Sequence, residues 1–426
     1  LKRAARIALA FSSLAVAGAC ASLRSGANPD LPLWLHHPSG ALHVTFRRDI
    51  VADERRTGEP YEHGEPELDP AHGRVFVGSS DRGLYALRAD DGQKLWRFET
   101  LGFVQSAPLY DSAEDVLYFG SHDGALYKVT AAHGRLLWRF MTNAQVTRTP
   151  VLADGVLYAA NANDTIVAIE AKSGKLIWQQ HRSPAAGMEI AGHSGPALFR
   201  GKVYAGFSDG NVAAFDAATG AERWQPVDLA AEAEQTLGQL PEQLDVDTTP
   251  VPDTIAAGPV VHVASYAGGV FALDAETGTQ VWANPGVYGV VELTLFEQPA
   301  HRGQDGRLLP ARRSLLAASG TTGLWALDPD TGTEQWRRSL PDTAVSRPAV
   351  VSGALLIAAS RLGLFLLNPL GGEIIDGIHL ADGSSITPAA YGSRAYVLTN
   401  GGALLGLHVA APRLTPAERR SPAALR

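Results

Sequence analysis

The chain has 426 residues, among them 44 Gly and 26 Pro, and 36 basic side chains against 44 acidic ones leave a formal charge of −8. No long basic run stands out, which argues against a nucleic-acid partner, and a lone cysteine rules out an internal disulfide. Charged residues make up only 19%, which suits a sheet-rich fold with much buried surface and many tight turns.

Leu1 to Ala19 reads as an address segment. Lys2, Arg3 and Arg6 open it, and the apolar run from Ile7 to Ala19 is too short to span a bilayer. It ends Val16-Ala17-Gly18-Ala19-Cys20. Small residues before Cys20 resemble the lipobox of bacterial lipoproteins, with Ala17 where that motif usually has Leu. On that reading Cys20 becomes the lipid-bearing first residue, and Ala21 behind it resembles lipoproteins sent on to the outer membrane. The other reading is an ordinary signal peptide cut near Ala19. Residues 20–40 then form a polar, Pro-containing tether, residues 41–410 one repeat domain, and residues 411–426 a disordered polar tail.

Leu42 to Phe46 alternates like a strand but lacks the hairpin that should precede it. From Arg74 onward one unit recurs. Its clearest copy is Val270 to Trp282: an apolar strand, an Asp-to-Gly turn, and a returning strand that carries Trp. Ala272, Asp274, Gly278 and Trp282 repeat the spacing of Ala214, Asp216, Gly220 and Trp224, and of Ala326, Asp328, Gly332 and Trp336. Ala168, Glu170, Gly174 and Trp178 match with Glu for Asp, and Ala86, Gly92 and Trp96 have Arg88 in the acidic slot. Gly134 and Trp138 keep two marks of the unit. Asn368 and Gly372 head a copy in which Asp376 stands where Trp is expected, and a partial copy from Arg394 to Leu407 stops before its last strand. Trp96, Trp138, Trp178, Trp224, Trp282 and Trp336 thus mark a long-period repeat. This predicts an all-β fold, an eight-bladed β-propeller of four-stranded antiparallel blades, the last one closed by the N-terminal strand. The tryptophans are expected to pack between adjacent blades.

Strand starts with proline recur as Ser106-Ala107-Pro108, Arg148-Thr149-Pro150 and Ser194-Gly195-Pro196. Two connections are long. Residues 225–258 include the helix-prone stretch 230–235 and then Asp245-Val246-Asp247-Thr248-Thr249-Pro250, which reads as an exposed loop; residues 297–313 read as a tolerated insertion, with a binding loop as the other reading. Gly206-Phe207-Ser208-Asp209-Gly210 matches the Gly-x-Ser-x-Gly of serine hydrolases, but it fills the slot that Gly120-Ser121-His122-Asp123-Gly124 fills two units earlier, so it reads as a turn. Asp328 to Gly332 and Asp245 to Asp247 lack the spaced ligands of a calcium loop, and His36-His37 has no third ligand at zinc spacing. No catalytic residue, metal or cofactor is expected.

The repeat Ala-x-Asp-x-x-x-Gly-x-x-x-Trp resembles the propeller repeat named for pyrroloquinoline quinone enzymes. Quinoprotein dehydrogenases resemble the chain in the repeat alone; their sites use a vicinal disulfide and calcium ligands, and Cys20 cannot make that disulfide. From Cys20 to about Leu407 the chain also resembles the BamB family, lipoprotein subunits of the outer-membrane β-barrel assembly machinery. Asp245 to Pro250 is similar to that family's Asp-Val-Asp-Thr-Thr-Pro run, whose acids help contact the central barrel insertase BamA, so the resemblance implies that role for Asp245 and Asp247. A second contact loop of the family, Leu-x-Leu-Arg-Gly, falls on Met188, Glu189, Ile190, Ala191 and Gly192. Met188 and Ile190 keep the apolar character, and Ala191 replaces the Arg. What the resemblance implies is a non-enzymatic scaffold, lipid-anchored on the periplasmic face of the outer membrane, that binds BamA and helps unfolded barrel clients fold and insert. A small-molecule-binding propeller, or a periplasmic propeller with another protein partner, stays open on the residues alone.

Overall fold

The computed structural model describes residues 40–51, 62–183, 194–229, 231, 234, 245–302, 308–309, 311–340 and 343–411. Cys20, His36-His37, most of the helix-prone stretch 230–235, the loop from Met188 to Gly192 and the tail from residue 412 lie outside the described residues.

Eight four-stranded antiparallel sheets follow one another. Blade 1 begins with Glu67–Asp69 and ends with Lys94–Glu99; blade 5 begins with Val251–Ile255 and ends with Gln280–Asn284. First strands of neighbouring sheets touch one another, which sets them round an axis and leaves the fourth strands on the rim. Ala389–Tyr391, Arg394–Leu398 and Ala403–Val409 make three strands of blade 8, and Leu42–Asp49 supplies the fourth, with Leu42 opposite Val409 and Asp49 opposite Ala403. The eight-bladed ring and its closure from the opposite terminus are both borne out. The insertion at 297–313 grows out of blade 6 as a ribbon: Val290–Gln298 pairs along Arg312–Ser319, and His301–Arg302 pairs with Leu308–Leu309 beyond them.

The repeat residues lock each blade to the next. Asp274 caps its turn by accepting the N–H groups of Glu276 at 2.9 Å and Thr277 at 2.8 Å. Ala272 pairs with Trp282, but Leu273 pairs with Gln280, a one-residue bulge just before the indole. Trp282 Nε1 then donates to the Pro329 carbonyl of blade 6 at 3.0 Å, and its ring lies on Gly332. Glycine is required there twice over: φ is +71°, and a Cβ would stand 2.4 Å from the ring. Trp96, Trp138, Trp178 and Trp336 donate in the same way to Ala131, Ala171, Ala217 and Pro369, at 2.9 to 3.0 Å. A second-strand tyrosine often shares the task. Tyr158 Oη also donates to Ala217 O at 3.1 Å, and Tyr204 Oη donates to Ala275 O at 2.9 Å.

Trp224 departs from this pattern. Its Nε1 is buried with no hydrogen-bond partner among the described residues. Pro226 interrupts the outer edge of blade 4: Val227–Asp228 pairs with Val212 and Asn211, and Glu222 makes a separate bridge to Phe215. Trp224→Phe therefore gives up no hydrogen bond. Trp282→Phe is expected to cost about 1 kcal/mol more than Trp224→Phe in urea unfolding, and equal losses would contradict the assignment of Pro329 O as acceptor.

Two of the eight interfaces lack Trp, and both flank the closing blade. Phe46 sits opposite Gly406 in the register where Trp178 sits opposite Ala168. Its ring reaches Gly92 of blade 1, while Tyr396 Oη donates to Ala89 O at 3.0 Å. At the blade 7 to blade 8 interface the register position belongs to Asp376, opposite Leu366. Asp376 is 1% exposed. Its Oδ2 accepts the backbone N–H of Ala41 at 2.6 Å and of Leu42 at 2.9 Å. The reason is topological. Other blades offer the carbonyl of a covalent turn, which suits an indole donor; blade 8 offers the N–H groups of an incoming strand, which need an acceptor.

Candidate functional site

In each blade the link from the rim to the next inner strand and the turn between the second and third strands leave by the same side of the ring. That side carries residues 245–250. Three of the links drop a buried valine onto a glycine that ends a second strand: Val104 on Gly78, Val146 on Gly120, Val246 on Gly206. Asp245-Val246-Asp247-Thr248-Thr249-Pro250 is thus one more copy of a Val-x-x-x-Pro approach seen at Val104 to Pro108 and Val146 to Pro150. Thr248 Oγ1 bridges the N–H and carbonyl of Ala264, each at 3.0 Å, as Ser106 Oγ bridges Gly120.

This corrects the expectation of an exposed loop. Val246 is fully buried and carries its neighbours inward, so Asp245 is only 3% exposed and Asp247 is half-buried. Asp245 Oδ1 has no hydrogen-bond partner among the described residues. Burial, and then the adjacent Asp245 carboxylate, push Asp247 up to about 7, against the pull of Arg148.

The folded protein holds the Asp247 proton more tightly than the unfolded chain, whose aspartates titrate near 4. Each step in pH from about 4 to 7 therefore removes stability, and above 7 the whole penalty is present. Asp247→Asn, which keeps the shape without the charge, is expected to raise the melting temperature at pH 8 and to lose that advantage toward pH 4. A melting difference that does not change with pH would contradict the assignment.

Other charges ring the same mouth. Arg148 donates through one nitrogen to the Asp247 carbonyl at 3.0 Å and through the other to Glu292 of blade 6, reaching across the channel. Arg347 of blade 7 lies 3.6 Å from Glu65, on the approach to blade 1. Burial raises Glu65, with Arg347 opposing it, and burial also raises Glu67 to about 7. Ser194 Oγ donates to Thr248 O at 2.9 Å, and Gly195 N–H donates to Thr249 Oγ1 at 3.2 Å. The residues just after the 188–192 loop therefore touch the acidic segment, although that loop itself lies outside the described residues. Sequence reading missed Arg148, Glu292, Glu65 and Arg347. The available signal was Arg148 standing where Ser106 and Thr248 supply a hydroxyl.

Other sequence motifs have structural uses. Ser208 sits in the turn between Lys202–Gly206 and Asn211–Asp216, and its hydroxyl donates to Asp164. Among the described residues, Asp69, His72 and Asp115 bring ligand-type atoms within 4.8 Å of one another. Arg74 fills that cluster, paired with both aspartates.

A closed ring of repeat-locked blades, with charged side chains gathered at one mouth of its axis, defines a β-propeller of the pyrroloquinoline-quinone repeat class. The family model described as outer membrane protein assembly factor BamB matches residues 111–301 and 235–389. The chain belongs to the BamB family. It is 27% identical over 230 residues to the outer membrane protein assembly factor BamB of Legionella pneumophila (strain Paris), a match covering 54% of this chain and 53% of that protein. The match thus spans about half the length of that relative. It is 31% identical over 145 residues to the quinohemoprotein alcohol dehydrogenase ADH-IIG of Pseudomonas putida, covering 32% of this chain and 19% of the enzyme. The crystal structure of BamB from Moraxella catarrhalis superposes with a TM-score of 0.64 at 18% identity, covering 86% of this chain and 99% of that one, which speaks to the fold.

Proposed function

We propose that the chain is a non-enzymatic scaffold of outer-membrane protein assembly that docks the barrel insertase BamA through segments 188–192 and 245–250. The observation that carries this reading is the Asp245–Asp247 pair. Blades 2 and 3 share the Val-x-x-x-Pro approach, yet acids flank the valine at Val246 and not at Val104 or Val146. Asp247 is the reachable member, and Asp245 sits behind it and raises its negative potential. A cationic or N–H-rich surface on the partner relieves that repulsion. Lipid at Cys20 is part of the same proposal. Leu42 lies at the opposite side of the ring from the docking links, since Asp49 is the end that faces the turn before Ala403. The tether then meets the ring on one side and the insertase on the other, at the periplasmic face of the outer membrane.

Asp245→Asn with Asp247→Asn is expected to cut recovery of BamA in a pull-down from membranes about tenfold or more, the scale of a central interface contact. The circular dichroism spectrum should stay that of a folded ring. Undiminished recovery from a folded variant would sink the docking assignment.

The similarity to a quinohemoprotein dehydrogenase favours a second reading, an axial quinone enzyme. The residues present do not fit that group. The Arg148–Glu292 pair crosses the channel mouth, and one cysteine cannot form a vicinal disulfide. Purified protein incubated with pyrroloquinoline quinone and calcium is expected to retain no quinone absorbance after desalting; retained absorbance would favour the enzyme.

A further inference from the structure

We infer that Arg148 is a positioning residue for the acidic segment, held by Glu292 across the channel so that blades 3, 5 and 6 together fix where Asp247 lies. At the corresponding step of other approaches a hydroxyl, Ser106 or Thr248, ties the segment to its own blade. In blade 3 that step is Arg148, which carries no hydroxyl. Its side chain instead spans to a carbonyl 99 residues away and a carboxylate 144 residues away. One planar guanidinium serves both partners at once, which a single ammonium cannot do with the same geometry. Burial works against its charge, but Glu292, and then Glu65 and Asp247, outweigh it and raise its pKa, so it stays cationic.

The neighbouring blade is shaped to admit this strut. A Cβ on Gly195 would stand 2.6 Å from Thr249 Oγ1 and 3.5 Å from Arg148 Cβ. Glycine lets the blade 4 approach pass between them. Arg148 thus holds the segment by its backbone. The part of this inference that concerns binding rests on the docking reading above; the strut itself does not.

The test uses the full chain in four forms: wild type, Arg148→Lys, Arg148→Gln and Glu292→Gln. Two readouts are taken. The first is NMR of ¹³C-labelled aspartate, which follows the Asp247 carboxyl titration, together with the Thr248 amide shift, which reports on the Asp247 carbonyl. The second is affinity for purified BamA. Arg148→Gln is expected to move the Asp247 midpoint upward and to shift the Thr248 amide. Arg148→Lys keeps the charge, so it should shift the Thr248 amide with a smaller change in midpoint, and it should still weaken binding about tenfold, within the range seen for directly coupled residues. Glu292→Gln should shift the Thr248 amide in the same direction. An unmoved Thr248 amide in a folded Arg148→Lys or Arg148→Gln protein overturns the strut. Moved resonances with unchanged BamA affinity in these variants, and in the double asparagine variant, leave the strut standing and remove the docking reading alone.

Discussion

Asp376→Ala is expected to be among the most damaging single substitutions in the ring, at roughly 2–5 kcal/mol. The figure follows from what it orphans. The Ala41 and Leu42 N–H groups both donate to one oxygen of Asp376, and both residues are buried. A buried donor left without its acceptor costs about 1–3 kcal/mol. The damage is also placed where the ring is weakest, since blade 8 is the one blade whose outer strand is not continuous with the other three. Equilibrium urea unfolding measures the loss, and hydrogen exchange should show Leu42–Asp49 losing protection first. Asp376→Asn can offer one carbonyl oxygen to the same N–H groups but turns its amide NH2, a donor, toward the Gly377 N–H that Oδ1 now accepts, so it should fall between wild type and Ala. Restoring the repeat with Asp376→Trp should be at least as harmful as Ala. An indole is a donor facing donors, and the strand backbone already stands 2.6 Å from the carboxylate. A stabilising Asp376→Trp would show that the repeat consensus outweighs the strand junction.

That position shows how far a sequence reading reaches. Repetition is readable because every regular interface asks for the same atoms: a Gly that admits an indole, and a Trp that donates to a turn carbonyl. Eight units and a circular closure follow from it. The closing interface breaks the rule for a reason that exists only in three dimensions. Nothing in the local sequence says that the neighbour of Asp376 is an N–H from the far end of the chain. Phe46 was equally hard to recognise, because its role depends on a register opposite Gly406, 360 positions away.

The site was legible in part. The two acids stand out as residue types, but their burial does not, since Val246 reads as any exposed-loop valine until the glycine beneath it is seen. Arg148 and Glu292 meet only because the ring brings blades 3 and 6 to one channel mouth. Pairs of that kind have no spacing to read. The family resemblance named the acidic segment; it gave no hint of the strut behind it.

Trp178→Ala should cost roughly 3–5 kcal/mol, the range for emptying a large buried aromatic site. Trp178 is 8% exposed, lies on Gly220 of blade 4 and packs on Tyr158 with ring centroids 6.0 Å apart. Its loss removes apolar contact on both sides of one interface. A closed ring cannot confine that damage as an open solenoid can, where each repeat answers only to its neighbours. The variant is therefore expected to unfold in one transition at lower urea rather than to shed blade 3 alone. The hydrogen bonds supply a sharper test. Ala217 O accepts from both Trp178 and Tyr158, so either single loss leaves it one donor. Trp178→Ala combined with Tyr158→Phe removes both, and the pair should cost about 1–2 kcal/mol more than the sum of the singles. Blade 4 gives the control. Tyr204 is the side chain that donates to Ala275 O, while the Trp224 nitrogen has no partner among the described residues, so Tyr204→Phe alone should cost more than Tyr158→Phe alone. Equal costs for the two tyrosines would mean that shared acceptance at the turn carbonyl contributes nothing to holding neighbouring blades together.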